Sequence, residues 1–330
     1  EFHNSTIFIL SLFKRRMGSI IIKELMINIT IIGFGNVGKT LALLLLNNKH
    51  ALRINIMEPN DNSIGAFLDL NHGLPLFDKK ELQINNEEFF VNADYVYFTA
   101  GTPNKQGDSR LSTLSQNIHL SEEIFKKRTF KQNPFVIVIT NPVDVISNAV
   151  YRYSGLSADK IIGTGTFLDS IRFNYYLSQV SGESIGLFDT MVLGEHGSSQ
   201  VPIYSKSTFN GAPLLENSSI KINQLKQAEK LTKNAAFKIR ETQKGTTYGV
   251  AKCAEVLLDY ILGKDKNQLT LSMLTNKHYC DLLKLDQPIF ISMPVSIKSG
   301  KIEINNNIEF LEEELLNYRK SAAKIAEYNF

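Results

Sequence analysis

The chain alternates between short apolar runs and longer segments whose apolar residues recur at helical spacing. β-branched residues dominate the short runs, and segments 37–47 and 113–127 carry apolar residues along one helical face. This alternation predicts a parallel sheet with helices on both faces, so the first half is predicted to be a doubly wound α/β unit. The six predicted strands are INITIIG (27–33), LRINIM (52–57), ELQIN (81–85), DYVYFTAG (94–101), FVIVIT (135–140) and KIIG (160–163).

The alternation stops after Gly163, and a different pattern follows. Long helical patterns cover 167–180, 222–242 and 310–328, and two strand-like runs, PIFISMPVSI and KIEI, flank a hairpin-type turn at Ser299 and Gly300. This mixture predicts a second, α+β domain packed on the first. We place the boundary near Thr166, which divides the chain into domains 26–166 and 167–330.

Residues 1–25 do not fit either domain. Their apolar run, 5–13, has nine residues, whereas a membrane-spanning helix needs about 20. Basic residues follow this run, the reverse of the order in a secretory signal. We expect a disordered N-terminal extension or upstream translation, and an arm that contacts another subunit is the alternative. No membrane association is predicted.

Composition narrows the classes of protein that remain. Of the 330 residues, 43% are hydrophobic and 21% are charged, as in ordinary globular proteins. The net charge of +3 comes from scattered lysines, so nucleic acid is not an expected partner. Cys253 and Cys280 lack the spacing of metal ligands and cannot form a disulfide framework. We therefore expect a reducing, cytoplasmic location and no metal site.

A glycine-rich turn joins the first predicted strand to the first predicted helix. Its sequence, Gly33-Phe34-Gly35-Asn36-Val37-Gly38, matches the G-x-G-x-x-G pattern of Rossmann dinucleotide-binding sheets. The glycines permit a tight turn, a close approach of the backbone to a pyrophosphate, and close packing of helix on strand. A purely structural glycine turn is the alternative.

A carboxylate at the end of the second strand would complete a dinucleotide site by accepting hydrogen bonds from ribose hydroxyls. Glu58 lies twenty residues after Gly38. Its negative charge would repel the 2′-phosphate of NADP, so we predict NAD as the cofactor. Counting back from Gly65 would instead place Met57 at this position, and Glu58 is also compatible with an ordinary solvated strand end.

Further motifs follow in an order that resembles the L-lactate/malate dehydrogenase family from Met26 to the C-terminus. They are Asp69-Leu70-Asn71-His72-Gly73, Gly107-Asp108-Ser109-Arg110, Asn141-Pro142-Val143-Asp144, Gly163-Thr164-Gly165-Thr166 with Asp169 and Arg172, and Gly194-Glu195-His196-Gly197. The resemblance implies reversible hydride transfer between NAD and a 2-hydroxy acid. It also implies a homotetramer or homodimer.

The family resemblance assigns roles to the candidate catalytic and substrate-binding residues. His196 would exchange the proton of the substrate hydroxyl, and Asp169 would hold the imidazole in the required tautomer. Arg172 would bind the substrate carboxylate through its planar guanidinium, and Arg110 would polarise the carbonyl oxygen. The other implied substrate contacts are Asn141 and Thr247, with Thr246 as the alternative to Thr247.

The resemblance also completes the predicted cofactor site. Asn141 would contact the cofactor as well as the substrate. The remaining cofactor-binding residues implied by the matching motifs are Gly33, Gly35, Asn36, Val37, Gly38, Glu58, Thr99, Ala100 and Gly101.

One loop position distinguishes the substrates within the family, with arginine in malate types and glutamine in lactate types. Asn104 occupies it here, so a neutral amide would face the substrate side chain, and Asp108 adds negative charge to the same loop. We therefore predict an L-lactate dehydrogenase. Malate dehydrogenase or a broader L-2-hydroxyacid dehydrogenase is the alternative, since Lys105 could pair with a second carboxylate. Ser198 departs from the family because aspartate is usual there.

A catalytically idle NAD-binding protein on the same fold is a hypothesis of a different class. NAD binding alone would need the glycine loop and Glu58 but not the candidate proton-transfer pair or the two arginines. The presence of all four residues favours an enzyme.

Overall fold

The computed structural model describes residues 26–102, 110–243 and 245–328. The predicted N-terminal extension, 1–25, lies outside the described residues. In the described part, the first half contains strands β1 to β6 and helices α1 to α5. The strands are Ile27–Ile32, Leu52–Met57, Lys80–Ile84, Tyr95–Phe98, Phe135–Val138 and Ile161–Gly163, and the helices are Asn36–Leu46, Ile64–Gly73, Glu87–Val91, Arg110–Phe125 and Val143–Ser154.

The second half consists of helices α6 to α10 and strands β7 to β14. The helices are Phe167–Ser181, Ile222–Arg240, Tyr248–Ile261, Lys277–Leu283 and Glu312–Ala326. The strands are Phe188–Asp189, Val192–Leu193, Val201–Pro202, Thr208–Phe209, Ala212–Pro213, Lys266–Leu274, Phe290–Lys298 and Lys301–Ile304. Strands β7 to β11 are two residues long and form two small sheets apart from the main one.

One nine-stranded sheet forms the centre of the molecule, in the order β14-β13-β12-β6-β5-β4-β1-β2-β3. Strands β1 to β6 are parallel, and their order 3-2-1-4-5-6 is that of a Rossmann sheet. The predicted doubly wound α/β fold with a second, mixed region is therefore confirmed.

The main sheet continues into the second half of the chain. Strand β12, which the sequence analysis did not predict, pairs antiparallel with β6 through Ser272 and Gly163. It covers the edge that β6 would otherwise expose. The predicted hairpin turn is present between β13 and β14, where Ser299 and Gly300 both have positive φ values, 49° and 77°. Such values are typical of two-residue hairpin loops.

Apolar side chains pack on both faces of the sheet. On one face, α1 and α8 contact each other and share a core that includes Leu41, Leu45 and Leu257. On the other face, α4 packs against α5, with Phe125 and Ile146 fully buried. Because the sheet is covered on both faces, ligands have access at the carboxyl ends of its parallel strands.

Neither a membrane span nor a metal cluster is present in the described structure. Within residues 26–102, 110–243 and 245–328, no helix is both long and apolar enough to cross a bilayer. The same residues contain no group of three or more His, Cys, Asp or Glu side chains that could hold a metal ion.

Candidate active site

The glycine loop between β1 and α1 is tightly packed at both ends and open in the middle. Gly33 has a φ of 92°, and a Cβ atom there would lie 2.5 Å from the Cα atom of Ala100. A Cβ atom at Gly38 would clash with the carbonyl oxygen of Gly33. At Gly35, apart from its chain neighbours, nothing lies within 4 Å of the Cβ position. This open space lies at the N-terminus of α1, where a pyrophosphate would bind.

The N-terminus of α1 and the end of β2 provide the other parts of a dinucleotide site. Asn36 and Val37 begin α1, whose first turn contains no acidic residue. The Glu58 carboxylate accepts hydrogen bonds from the main-chain N–H groups of Phe34, at 2.9 Å, and Asn60, at 3.0 Å. A carboxylate offers about four lone-pair sites, so Glu58 keeps acceptor capacity for ribose hydroxyls. These residues fit NAD.

Thr99, Ala100 and Gly101 follow β4 and lie directly beside the glycine loop. The Thr99 hydroxyl donates a hydrogen bond to the Gly33 carbonyl oxygen at 2.8 Å, and Ala100 is the residue against which Gly33 packs. A Cβ atom at Gly101 would lie 2.9 Å from the Cγ2 atom of Thr140. These contacts hold the end of β4 against the loop.

Asn117, on α4, connects two predicted segments but was missed by the sequence analysis. Its Oδ1 atom accepts a hydrogen bond from the Thr102 N–H at 2.8 Å, and its Nδ2 atom donates to the Asn141 carbonyl oxygen at 2.9 Å. Asn117 is 2% exposed. A polar residue three positions after Leu114 on an apolar helical face is the sequence signal that indicates such a buried contact.

The peptide bond between Asn141 and Pro142 is cis, and α5 begins directly after it. Asp144 lies in the first turn of α5. It belongs to the motif Asn141-Pro142-Val143-Asp144, but the sequence analysis assigned it no role. Its carboxylate is buried and accepts hydrogen bonds from the His196 main-chain N–H, at 3.0 Å, and the Ser272 hydroxyl, at 2.6 Å. Burial raises the pKa of Asp144 to about 6. Asp144 therefore links the Asn141 turn to the His196 segment.

His196, Asp169 and Arg172 form a connected group, as their predicted roles require. The Nδ1 atom of His196 lies 2.6 Å from Oδ2 of Asp169. An Nη1 atom of Arg172 donates to Oδ1 of the same carboxylate at 2.9 Å. Asp169 and Arg172 share one face of α6 because they are three residues apart. Asp169 is 1% exposed, whereas the His196 side chain is 24% exposed and accessible to a ligand.

Opposing effects determine the pKa values of the buried pair. Burial alone would lower the pKa of His196, but the carboxylates of Asp169 and Asp144 together outweigh burial, and the pKa lies above its usual value. Burial alone would raise the pKa of Asp169, but His196 and Arg172 outweigh it, and the pKa lies below its usual value. The pair thus favours an imidazolium beside a carboxylate, which suits a proton donor near neutral pH.

Thr247 precedes α8 and is buried, whereas its neighbour Thr246 is half-buried. The Gln243 side chain donates to the Thr247 hydroxyl at 3.4 Å and to the Gly245 carbonyl oxygen. Helix α8 also contacts α6, the helix that carries Asp169 and Arg172. No hydrogen bond between described residues joins Thr247 itself to that group.

The specificity loop lies outside the described residues. Asn104, Lys105 and Asp108 belong to the segment 103–109, and Arg110 begins α4 without a described side chain. Their predicted roles stay predictions. The structure does bring together the glycine loop with Glu58 and residues 99–101, and separately His196 with Asp169 and Arg172.

The sequence matches two family models that together span nearly all of the described chain. Residues 27–163 match the NAD binding domain of lactate/malate dehydrogenase, and residues 166–327 match its alpha/beta C-terminal domain.

Curated relatives include both lactate and malate enzymes. A probable L-lactate dehydrogenase of Schizosaccharomyces pombe is 34% identical over 253 residues, covering 74% of this chain and 77% of the relative. A malate dehydrogenase of Neorickettsia sennetsu is 30% identical over 308 residues, covering 89% and 95%.

The solved structures that are similar to this chain also include both lactate and malate dehydrogenases. A minor L-lactate dehydrogenase of Enterococcus mundtii superimposes with a TM-score of 0.83 at 26% identity, covering 92% of this chain and 98% of that one. A malate dehydrogenase of Cryptosporidium parvum has a TM-score of 0.80 at 29% identity, with the same coverage.

The Rossmann sheet, its glycine loop and the matching NAD binding domain define an NAD-dependent oxidoreductase. The chain belongs to the lactate/malate dehydrogenase family.

Proposed function

We propose that the protein is an L-lactate dehydrogenase in which His196 exchanges a proton with the substrate oxygen. The observation that carries this proposal is the arrangement of His196, Asp169 and Arg172, joined through both oxygens of one buried carboxylate at 2.6 and 2.9 Å. Asp169 fixes Nδ1 of the imidazole, so Nε2 is the nitrogen left to face a ligand. The raised pKa of His196 supports its protonated form as the starting state for reduction.

Bound NAD supplies the chemistry of hydride transfer, and the protein residues bind, orient and exchange the proton. Nε2 of His196 donates a proton to the carbonyl oxygen of the 2-oxo acid in one direction and takes it back in the other. Arg172 uses one N–H group on Asp169 and keeps further donors for the substrate carboxylate. We assign the polarisation of the carbonyl oxygen to Arg110.

Pyruvate is the substrate that we propose, on the basis of Asn104. A neutral amide cannot pair with the second carboxylate of oxaloacetate as an arginine would. Malate dehydrogenase is the second candidate because relatives of that name match the chain at 29–30% identity. In that case Lys105, in the same loop, would supply the missing cation.

We further propose a division into an NAD-binding domain, 26–166, and a catalytic domain, 167–330, and assembly into a homodimer or homotetramer. Exposed apolar side chains support the assembly. They include Ile64 and Leu68 on α2, at 46% and 45% exposure, and Leu76, at 90%. Cys253 and Cys280 are both free thiols, which supports a cytoplasmic location.

Replacing the histidine tests the proposed mechanism. We expect His196→Asn to retain NADH binding but to lose turnover of pyruvate by about 10²–10⁴-fold, the usual contribution of general acid catalysis. NADH fluorescence measures the binding, since the chain contains no tryptophan whose emission could serve. His278→Asn, at an exposed histidine, is the matched control and should behave as the parent. An H196N variant with parental turnover would refute the proposal.

A further inference from the structure

Residues 194–199, the segment that carries His196, fold around the side-chain carboxylate of Glu195. We call these residues the histidine loop. The Ser199 N–H and hydroxyl both donate to Oε2 of Glu195, the former at 3.1 Å. The Gly197 N–H donates to the Glu195 carbonyl oxygen at 2.8 Å, and a Cβ atom at Gly197 would lie 2.8 Å from Cδ of Glu195. The Glu195 side chain is therefore the centre of the loop that places His196.

The C-terminal helix, α10, packs directly on the histidine loop. The Ser321 hydroxyl accepts a hydrogen bond from the Glu195 main-chain N–H at 2.8 Å. Gly194 has a φ of 89°, and a Cβ atom there would lie 2.6 Å from the Ser321 Oγ atom. The Tyr318 hydroxyl donates to the carbonyl oxygen of Ser292, which also accepts from the Gly194 N–H. Main-chain contacts thus fix the start of the loop to α10 and β13.

Lys324 adds the charged contact between α10 and the histidine loop. Its Nζ atom lies 2.7 Å from Oε2 of Glu195 and 3.0 Å from the Ser198 hydroxyl oxygen. The loop therefore offers Lys324 one carboxylate, from Glu195, and one hydroxyl, from Ser198. Among the described ion pairs, Glu195 is the partner of Lys324.

The Glu195 carboxylate is a poor site for an unpaired charge because its side chain is only 22% exposed. Burial alone would raise its pKa, but the hydrogen bonds from Lys324 and Ser199 outweigh burial, and the pKa lies below its usual value. Without the ammonium group, this carboxylate would have to gain water or a proton. Either change would alter the hydrogen bonds around which the histidine loop is folded.

We propose that Lys324 is a positioning residue for proton transfer: by holding the Glu195 carboxylate, it fixes the histidine loop and hence the imidazole of His196. The inference rests on the proposed function of His196. It assigns a role in the reaction to the C-terminal helix, which contributes no residue to the predicted catalytic set.

The first test is the steady-state kinetics of Lys324→Met. We expect kcat for pyruvate reduction to fall by about tenfold, below the roughly hundredfold cost of a 1 Å misplacement of reacting groups. The KM for NADH should stay within about twofold of the parent, since the glycine loop and Glu58 are untouched. Lys324→Arg keeps the charge and should recover most of the lost kcat. Lys320→Met, at an exposed lysine on the same helix, is the matched control.

A double-mutant cycle tests whether Lys324 acts through Glu195. Glu195→Gln keeps the size of the side chain and removes its charge. If the two side chains act as a unit, adding K324M to E195Q should lower kcat by no more than about twofold further, instead of multiplying the two losses. Rates are compared at a temperature at which circular dichroism shows every variant folded. If K324M is not folded at any temperature suitable for the assay, the kinetics of E195Q provide the test. The proposal then requires kcat of E195Q to be lower than that of the parent.

Parental kcat in K324M, or equal losses in K324M and K320M, would overturn the inference. Multiplicative losses in the cycle would overturn the route through Glu195. The H196N variant, assayed in parallel, separates this inference from the proposed function. An inactive H196N beside a fully active K324M rejects only the role of Lys324, whereas an active H196N rejects the proposed function.

Discussion

The imidazole of His196 and the carboxylate of Asp169 lie 2.6 Å apart although 27 residues separate them in the chain. The contact joins the histidine loop to α6 and gives His196 a partner that is itself 1% exposed. A buried carboxylate in this place selects the tautomer and favours the protonated form of the imidazole. The pH dependence of the reaction should therefore depend on Asp169.

Removing the Asp169 charge should narrow the pH range of pyruvate reduction. The carboxylate holds the pKa of His196 above its usual value, whereas burial alone would lower it. In Asp169→Asn the imidazole should therefore lose its proton at lower pH than in the parent, and the alkaline limit of reduction should move to lower pH. We expect kcat to fall by about a hundredfold, within the range of general acid catalysis. Stopped-flow rates of NADH oxidation between pH 5 and 9 measure both effects.

An unchanged alkaline limit in D169N would contradict the role of Asp169. Asp259→Asn is a matched control, because Asp259 pairs with the imidazole of a different histidine, His50, at 3.2 Å.

The glycine loop offers a matched pair of substitutions that separates folding from cofactor binding. Gly35 has ordinary φ and ψ values, −72° and −166°, and open space at its Cβ position. We expect Gly35→Ala to keep the parental melting temperature while weakening NADH binding by at least about tenfold, since the methyl group would occupy the path of the pyrophosphate.

Gly33→Ala should instead lower the stability of the folded protein. Its φ of 92° and its contact with Ala100 leave no room for a methyl group. We expect the free energy of unfolding to fall by about 1–3 kcal/mol, the usual cost of such backbone strain. Thermal unfolding and NADH titration of both variants provide the measurements. Equal melting temperatures for G33A and G35A would contradict this account of the loop.

Asp144 should make the stability of the protein depend on pH near 6. Its pKa rises from 3.8 unfolded to about 6 folded, because burial penalises the charged form. The folded state then binds the proton more tightly, so the contribution of Asp144 to the free energy of unfolding should increase as the pH falls from above 6 towards 4. The shift of about two pKa units corresponds to about 3 kcal/mol.

Asp144→Asn should remove this contribution. The amide stays neutral, can accept from the His196 N–H and can donate to Ser272, so the fold is retained. Urea unfolding of the parent and of D144N at several pH values between 5 and 8 gives the comparison. Parallel stability curves for the two proteins would contradict the buried, raised pKa of Asp144.

The sequence predicted those parts of the fold and site whose signals are local. β-branched runs and the G-x-G-x-x-G pattern located strands β1 to β6 and the glycine loop, because periodicity and glycine chemistry act within a few residues. Asp169 and Arg172, which belong to one predicted motif, are likewise close in the chain, and their three-residue spacing places them on one helical face.

The unpredicted parts depend on contacts between residues far apart in the chain. Strand β12 mixes Thr and Ser with Leu and Met, and its place beside β6 follows from the need to cover a sheet edge. Asp144 meets His196 and Ser272 across 52 and 128 residues, so its motif alone gave no role. Strands of two residues, such as β8, are too short to show any period.

The most direct test of the central claim compares NADH oxidation with pyruvate and with oxaloacetate at equal concentrations near neutral pH. An unpaired second carboxylate costs roughly 3–5 kcal/mol. At ~1.4 kcal/mol for each factor of ten, we therefore expect kcat/KM for pyruvate to exceed that for oxaloacetate by at least about two orders of magnitude. Asn104→Arg should raise the turnover of oxaloacetate. Faster oxaloacetate reduction by the parent would contradict the lactate dehydrogenase proposal and would favour malate as the substrate.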